Sequence, residues 1–113
     1  MDNRNLWEKM CCCLSNAEIY AIRFGNGELN KELFGYYMKP NSKSASKSNL
    51  FNSLKENINS LKNEFREFLL KYGEIEYPVG LQKVQIFDLV NKWKSCVRPE
   101  DKMIYDDLLS IIK

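Results

Sequence analysis

The chain contains 113 residues, with 17 Lys and Arg, 15 Asp and Glu, four Cys and no His, so its formal net charge is +2. This length predicts a single domain over residues 1–113, since domains typically hold about 100 to 150 residues. Without His, the chain lacks Ser-His and Cys-His nucleophile pairs and His-ligated metal sites, and its charge is far from the basic excess of a dedicated nucleic-acid-binding protein.

The N-terminal residues and the cysteines favour a cytoplasmic protein. Charged side chains interrupt the apolar residues near the N-terminus, so we expect no secretory signal, and no stretch reaches the roughly 18 apolar residues of a membrane span. Three of the four cysteines are consecutive, at Cys11, Cys12 and Cys13, and the fourth is Cys96. Because a disulfide framework spaces its cysteines along the chain, this arrangement indicates a reducing compartment.

The first part of the chain is predicted to form one helix over residues 4–24. Steps of three and four place one apolar face on Leu6, Met10, Cys13, Ala17, Tyr20 and Phe24. Gly25 then stands where a left-handed C-terminal cap is expected. The alternative is an α+β fold with a small hairpin around residues 18–38 that turns through Gly25-Asn26-Gly27. We prefer the helix, followed by a short helix over residues 28–38.

A flexible basic loop is predicted over residues 39–48. This segment has no large apolar side chain, and Pro40 disfavours a helical conformation at the residue before it. It carries Lys39, Lys43 and Lys47 and no acidic residue, so the rest of the chain has a net charge of −1. The mild basicity of the protein is therefore a local property of this loop.

The longest predicted helix begins after a cap at Ser48 or Asn49 and ends at Gly73, a residue that suits a left-handed cap. Apolar side chains recur along it at steps of three and four, which predicts one buried face. That face consists of Leu50, Leu54, Ile58, Leu61, Phe65, Phe68 and Tyr72.

Two further helices are predicted after an extended segment over residues 74–80, in which Pro78 and Gly80 disfavour helix. The first covers residues 81–96, and its apolar stripe consists of Val84, Phe87, Val90, Trp93 and Val97. The last begins at Pro99, and its buried face consists of Met103, Ile104, Leu108, Ile111 and Ile112. Four or five helices with short links predict an all-α fold, either a compact bundle or an irregular array.

Neither a catalytic site nor a metal site is predicted. Consecutive helical positions differ by about 100°, so the cysteine triplet cannot converge on one metal ion, and we expect Cys13 to pack in the core. The pairs Glu100-Asp101 and Asp106-Asp107 lie in helical turns near lysines, which predicts solvated, ordinary acids. A Gly-rich phosphate loop is also absent from the sequence. We therefore expect a protein that is not an enzyme and that needs no cofactor.

Recognition of another protein is the leading hypothesis. Tyr is common in interface hot spots, and the aromatic residues not clearly assigned to a buried stripe are Tyr36, Tyr37, Phe51 and Tyr77. Glu74 and Glu76 lie beside Tyr77, and these acids suit a basic partner such as a toxin or nuclease. These features predict a small protein that occludes a partner, of the immunity, antitoxin or phage-inhibitor kind.

Two other functions remain open. Lys39, Lys43 and Lys47, with Tyr36 and Tyr37 before them, predict weak phosphate contacts and base stacking, as in a nucleic-acid-associated regulator. Palmitoylation of the cysteine triplet would place the chain at a membrane surface. Packing of these cysteines is the preferred interpretation, because the second signal that stable anchoring requires is missing.

Overall fold

The computed structural model describes residues 3–25 and 46–112. These residues form four α-helices and no strand, which confirms the all-α prediction. The helices are α1 (Arg4–Phe24), α2 (Lys47–Tyr72), α3 (Lys83–Cys96) and α4 (Lys102–Ile111), with a 3₁₀ turn over Pro99–Asp101 before α4. Within the same residues, no helix combines the length and the apolar composition needed to cross a bilayer.

The four helices run alternately up and down in one bundle. α1 and α2 are antiparallel, because Lys9 forms a 2.9 Å ion pair with Glu64 near one end of the pair and Tyr20 packs on Phe51 near the other. α3 and α4 form a second antiparallel pair, in which Lys102 at the start of α4 donates a 2.8 Å hydrogen bond to the carbonyl of Lys94 near the end of α3. The two pairs meet through α1 with α3 and α2 with α4. Residues 73–82, which we call the connector, therefore cross one end of the bundle to join α2 to α3.

The end of α1 differs from the prediction in its backbone conformation. Residues 18–24 are helical, so the hairpin alternative is wrong for this part of the chain, and residues 26–38 lie outside the described residues. Gly25 has φ −89° and ψ −159°, an extended conformation rather than the predicted left-handed cap. Glycine is required here for space, because a Cβ would overlap the carbonyl oxygens of Ala21 and Cys96.

α2 begins earlier than predicted. The side chain of Ser46 accepts a 3.1 Å hydrogen bond from the backbone N–H of Asn49 and caps a helix that starts at Lys47. The predicted basic loop is therefore wrong in its last two residues, which are helical, while residues 39–45 lie outside the described part of the chain. The predicted end is confirmed, because Gly73 adopts a left-handed conformation with φ 81°.

α3 is rotated from its predicted orientation. Its core side chains, with the residue that follows it, are Ile86, Val90, Trp93, Cys96 and Val97. Val84 is 64% exposed, so the predicted stripe is wrong at this position, whereas Phe87 is half-buried and packs against the core. Two stripes with helical spacing share Val90, Trp93 and Val97, and packing against α1 and α4 selects the stripe that includes Ile86.

α4 differs in the same way. Met103 is 74% exposed, although the sequence predicts it to face the core, whereas Ile111 is half-buried and packs against the core. Tyr105 is fully buried instead, and its hydroxyl donates a 2.6 Å hydrogen bond to the carbonyl of Ala17 in α1. This contact between helices turns Met103 towards the surface. The residues buried as predicted are Ile104, Leu108 and Ile112.

Several buried groups hold their protons more tightly than they would in water. Cys13 is fully buried, as predicted, and burial raises the pKa of its thiol to about 12. Burial is also the main cause that raises the pKa of Tyr105 well above its ordinary value. The pKa of Tyr20 is raised first by burial and then by the nearby Asp101 carboxylate. In all three cases the folded state favours the neutral form.

We therefore expect the protein to lose stability in alkaline solution. The unfolded thiol and phenols ionise near their ordinary pKa values of 9.0 and 10.0, whereas the folded groups remain protonated. Their contribution is complete below about pH 9 and is lost as the pH rises towards the folded pKa values. Urea midpoints measured from about pH 8 to about pH 11 should fall steadily.

Tyrosine variants separate this effect from general alkaline denaturation. Tyr20→Phe and Tyr105→Phe should each reduce the slope of the midpoint against pH, because each removes a phenol that ionises only on unfolding. Tyr72→Phe, at an exposed position, should retain the wild-type slope. Equal slopes for all four proteins would contradict the assignment to buried phenols.

Candidate protein-binding surface

One end of the bundle carries most of the exposed large apolar side chains of the described residues. We call it the connector end, because the connector joins the end of α2 to the start of α3 there. Five of the six such side chains belong to it, namely Leu69, Leu70, Tyr72, Val79 and Val84, and the sixth is Met103 in α4. Single exposed apolar residues are ordinary, but their concentration at one end is typical of an interaction surface.

A hydrogen-bonded turn presents the most exposed of these side chains. Val79 is 100% exposed in a turn over residues 78–81, which a 3.0 Å backbone hydrogen bond closes. The side-chain amide of Gln82 donates to two carbonyls of the connector at 2.9 and 3.0 Å, and Gln82 also caps α3. Because the turn is braced in this way, Val79 is held outward before any partner arrives.

An open groove lies between α1 and the connector. Its volume is about 650 Å³, and it is lined by Asn3, Arg4, Trp7, Glu8, Cys11, Pro78 and Leu81. Trp7 is almost completely buried and packs edge-on against Tyr77, with ring centroids 5.0 Å apart, and against Phe65 at 5.8 Å. Arg4 and Glu8 are exposed, so the groove combines an aromatic wall with charged groups.

The acidic segment identified in the sequence belongs to this same end. Glu74 and Glu76 are exposed, and Asn3 donates a 3.0 Å hydrogen bond to the backbone carbonyl of Glu76. Tyr77 is half-buried against Trp7, and the Lys83 ammonium lies 5.6 Å from its ring centroid. Burial raises the pKa of Tyr77. Tyr77 therefore attaches the connector to α1, and the two carboxylates face solvent beside the apolar residues.

The remaining predicted binding residues that the structure describes lie away from the connector end. Lys47 is the first residue of α2, at the opposite end of the bundle, and its ammonium lies 3.4 Å from Oδ2 of Asp101. Phe51 is half-buried, with its ring 5.9 Å from that of Tyr20. The predicted residues that lie outside the described part of the chain are Tyr36, Tyr37, Lys39 and Lys43. Nucleic-acid binding through these lysines stays a prediction.

One carboxylate departs from its predicted environment. The sequence predicts a solvated acid at Asp101, but only 5% of this side chain is exposed. The 3₁₀ turn at Pro99–Asp101 directs the side chain towards Tyr20 and Lys47. Glu100, beside it in the same turn, is exposed. The prediction is therefore wrong for one member of the pair, because a difference of one position in the turn decides which side chain enters the bundle.

The cysteines are free thiols in different environments. Cys13 and Cys96 are buried, Cys11 is half-buried and Cys12 is exposed, so the triplet spreads around α1 as helical geometry requires. Burial raises the pKa of Cys11. In the described residues, no group of three or more Cys, Asp and Glu side chains is arranged to hold a metal ion.

The apolar residues of the connector end were not among the predicted binding residues, although two sequence signals point to them. Leu69 and Leu70 follow Phe68 directly, so three consecutive large side chains cannot all share the inward face of α2. Val79 lies between Pro78 and Gly80, where a turn is expected to present its side chain to solvent. The sequence predicts that Tyr72 and Val84 are buried, and both predictions are wrong, because 40% of Tyr72 and 64% of Val84 are exposed.

Comparisons with known proteins add no further evidence. No protein-family model, curated protein or solved structure matches this chain. Its function is therefore inferred from its own residues, above all those of the connector end.

Proposed function

We propose that this chain is a small protein-binding protein that occludes its partner with the connector end, as an immunity protein, antitoxin or phage inhibitor does. The observation that carries the proposal is the concentration of five exposed apolar side chains between residues 69 and 84. Burying such side chains against a partner is favourable because apolar area leaves water. Val79, the most exposed of them, is the expected anchor.

Two properties of the connector end support binding by occlusion. The hydrogen bonds of the turn over residues 78–81 hold Val79 outward, so little conformational entropy is lost on association. Glu74 and Glu76 are exposed in the same connector, and a basic partner surface would complement them. The proposed partner is therefore a protein with an apolar recess and basic residues around it, such as a nuclease or another toxin.

The experiment combines capture with a matched pair of substitutions. A tagged chain is used to isolate a stoichiometric protein partner from a native lysate of the source cells, and the purified partner is then titrated calorimetrically. Val79→Ser should weaken binding about thirtyfold, the loss expected for a hot-spot residue. The partner's own activity should fall in proportion to its occupancy by the wild-type protein.

Met103→Ser is the control, because it also removes an exposed apolar side chain but lies outside the connector end. It should leave the affinity unchanged, and Leu70→Ser should behave like Val79→Ser. Equal loss in the Met103 and Val79 variants would show that the binding surface is elsewhere. Failure to recover any stoichiometric protein would contradict the protein-binding function itself.

A further inference from the structure

A polar pocket lies at the opposite end of the bundle from the connector. It has a volume of about 290 Å³ and is formed by α1, the first turns of α2 and the 3₁₀ turn before α4. We call it the Tyr20–Asp101 pocket. The residues that line it are Tyr20, Lys47, Ser48, Phe51, Asn52 and Asp101. None of them belongs to the connector end, so the function of this pocket is a separate question from protein binding there.

Two buried polar atoms of this pocket lack a hydrogen bond of ordinary geometry. Tyr20 is fully buried, and its hydroxyl has no such partner among the described residues. The same holds for Oδ2 of Asp101. A weak hydrogen-bonding contact between the Tyr20 side chain and the Asp101 carboxylate adds to the burial that raises the pKa of Tyr20. Buried polar groups usually make hydrogen bonds, so both atoms indicate that the pocket accommodates a polar ligand.

The chemistry of the lining favours a cationic guest. A buried carboxylate accepts hydrogen bonds and repels anions, and an apolar guest would leave Oδ2 of Asp101 and the Tyr20 hydroxyl unsatisfied. The rings of Tyr20 and Phe51, with centroids 5.9 Å apart, add aromatic surface that can attract a positive charge. A guanidinium or a primary ammonium can donate to the carboxylate and to the phenolic oxygen at the same time.

Lys47 already places a cation at this pocket. Its ammonium lies 3.4 Å from Oδ2 of Asp101 but makes no hydrogen bond to it, and 42% of the Lys47 side chain remains exposed. Only 5% of the Asp101 side chain is exposed, so its carboxylate needs a cation, but the long contact and the partial exposure of Lys47 allow another cation to replace this one. The Lys47 side chain can therefore move into solvent when a cation that fits the pocket better binds to Asp101. If it stayed in place, its positive charge would repel that cation.

We propose that the Tyr20–Asp101 pocket binds a guanidinium or primary ammonium group, which displaces the Lys47 side chain from Asp101. The group can come from a free amine or from an Arg or Lys side chain of another protein, since both present the same donors. Asp101 provides the charge, Tyr20 a hydrogen bond and Phe51 an aromatic contact. Ser48 and Asn52 add neutral polar groups at the pocket wall.

The test is a titration of the full chain monitored by backbone amide NMR, with three probes. Agmatine, which carries a guanidinium and a primary ammonium, represents a free amine. The N-acetylated, C-amidated peptide Gly-Gly-Arg-Gly-Gly represents a protein side chain, and the same blocked peptide with citrulline in place of arginine is the uncharged control. At least one guanidinium probe should give saturable shifts at the lining residues, and the citrulline peptide should give none.

A response to agmatine alone indicates a free amine, and a response to the peptide indicates a protein side chain. Equal binding of the citrulline peptide, or no saturable shift with either guanidinium probe, would overturn the proposal.

Substitutions make the test specific to the pocket. Lys47→Gln should tighten binding of the guanidinium probe at least about threefold, because it removes the competing cation. Lys55→Gln removes the same charge from an exposed position of α2 and should leave the affinity unchanged. Asp101→Asn should abolish binding.

A further variant keeps the test decisive if Asp101→Asn fails to fold. Tyr20→Phe removes only the hydroxyl, and it should weaken binding while the amide spectrum stays folded. Unchanged affinity in both Lys47→Gln and Tyr20→Phe would show that the cation binds elsewhere.

Discussion

Replacing Ile86 with Ala is expected to lower the free energy of unfolding by about 2 to 5 kcal/mol, whereas Val84→Ala should change it by no more than about 0.5 kcal/mol. Both residues are apolar and lie two positions apart in α3, but Ile86 is fully buried and Val84 is largely exposed. The loss at Ile86 combines lost apolar burial with the cavity that remains between the helices. Urea unfolding followed by circular dichroism measures both values.

This pair tests which of the two apolar stripes of α3 faces the core. If the stripe predicted from the sequence were correct, Val84→Ala would be the more destabilising change of the two. A comparable loss at both positions would mean that α3 is rotated between the two orientations. The m value, which is the slope of the unfolding free energy against urea concentration, should be the same in both variants as in the wild-type protein. This control shows that the unfolding of the three proteins can be compared.

Gly25→Ala is expected to destabilise the protein by about 1 to 3 kcal/mol, although Gly25 has a backbone conformation that other residues adopt. The reason is spatial, since a Cβ at this position would overlap the carbonyl oxygens of Ala21 and Cys96. Relief would require the end of α1 to move away from the end of α3. Thermal unfolding of the variant measures the loss.

Gly73 provides the contrast, because its φ is 81° and a Cβ added there would meet nothing within 4 Å. Gly73→Ala should cost about 1 kcal/mol through backbone strain alone, and Gly73→Asn should recover part of that loss because Asn tolerates the left-handed conformation. At Gly25, Asn should be no better than Ala, since the overlap begins at the Cβ. Recovery by Asn at Gly25 would contradict the spatial explanation.

The connector end and the Tyr20–Asp101 pocket lie at opposite ends of one bundle and differ in chemistry. The first exposes apolar side chains beside acids, and the second holds a buried carboxylate beneath an exposed ammonium. A partner that covered Val79 would not contact Lys47 directly. The two proposals can therefore fail independently, since the Val79 variants leave the pocket intact and the Lys47 and Tyr20 variants leave the connector end intact.

Part of the candidate surface could be predicted from the sequence. Glu74 and Glu76 are exposed, as acidic residues in an extended segment between helices are expected to be. The sequence predicts Tyr77 as a candidate anchor outside the buried stripes, and in the structure its ring packs on Trp7, more than sixty positions earlier in the chain. Contact between such distant residues depends on how α1 meets the connector, which no local pattern specifies.

The four described helices lie approximately where the sequence predicts them. Local signals act within one or two turns, so they can be recognised without knowledge of the fold. They are the apolar spacing, Gly73 at the end of α2 and Pro99 before α4, whereas the cap of α2 is Ser46 and not the predicted Ser48 or Asn49. Contacts between helices set the rotation of α3 and α4, bury Asp101 and leave no room for a side chain at Gly25. Each of these properties depends on a neighbouring helix. Contacts between segments that are distant in the sequence select which apolar stripe faces the core, and therefore which polar group is buried with it.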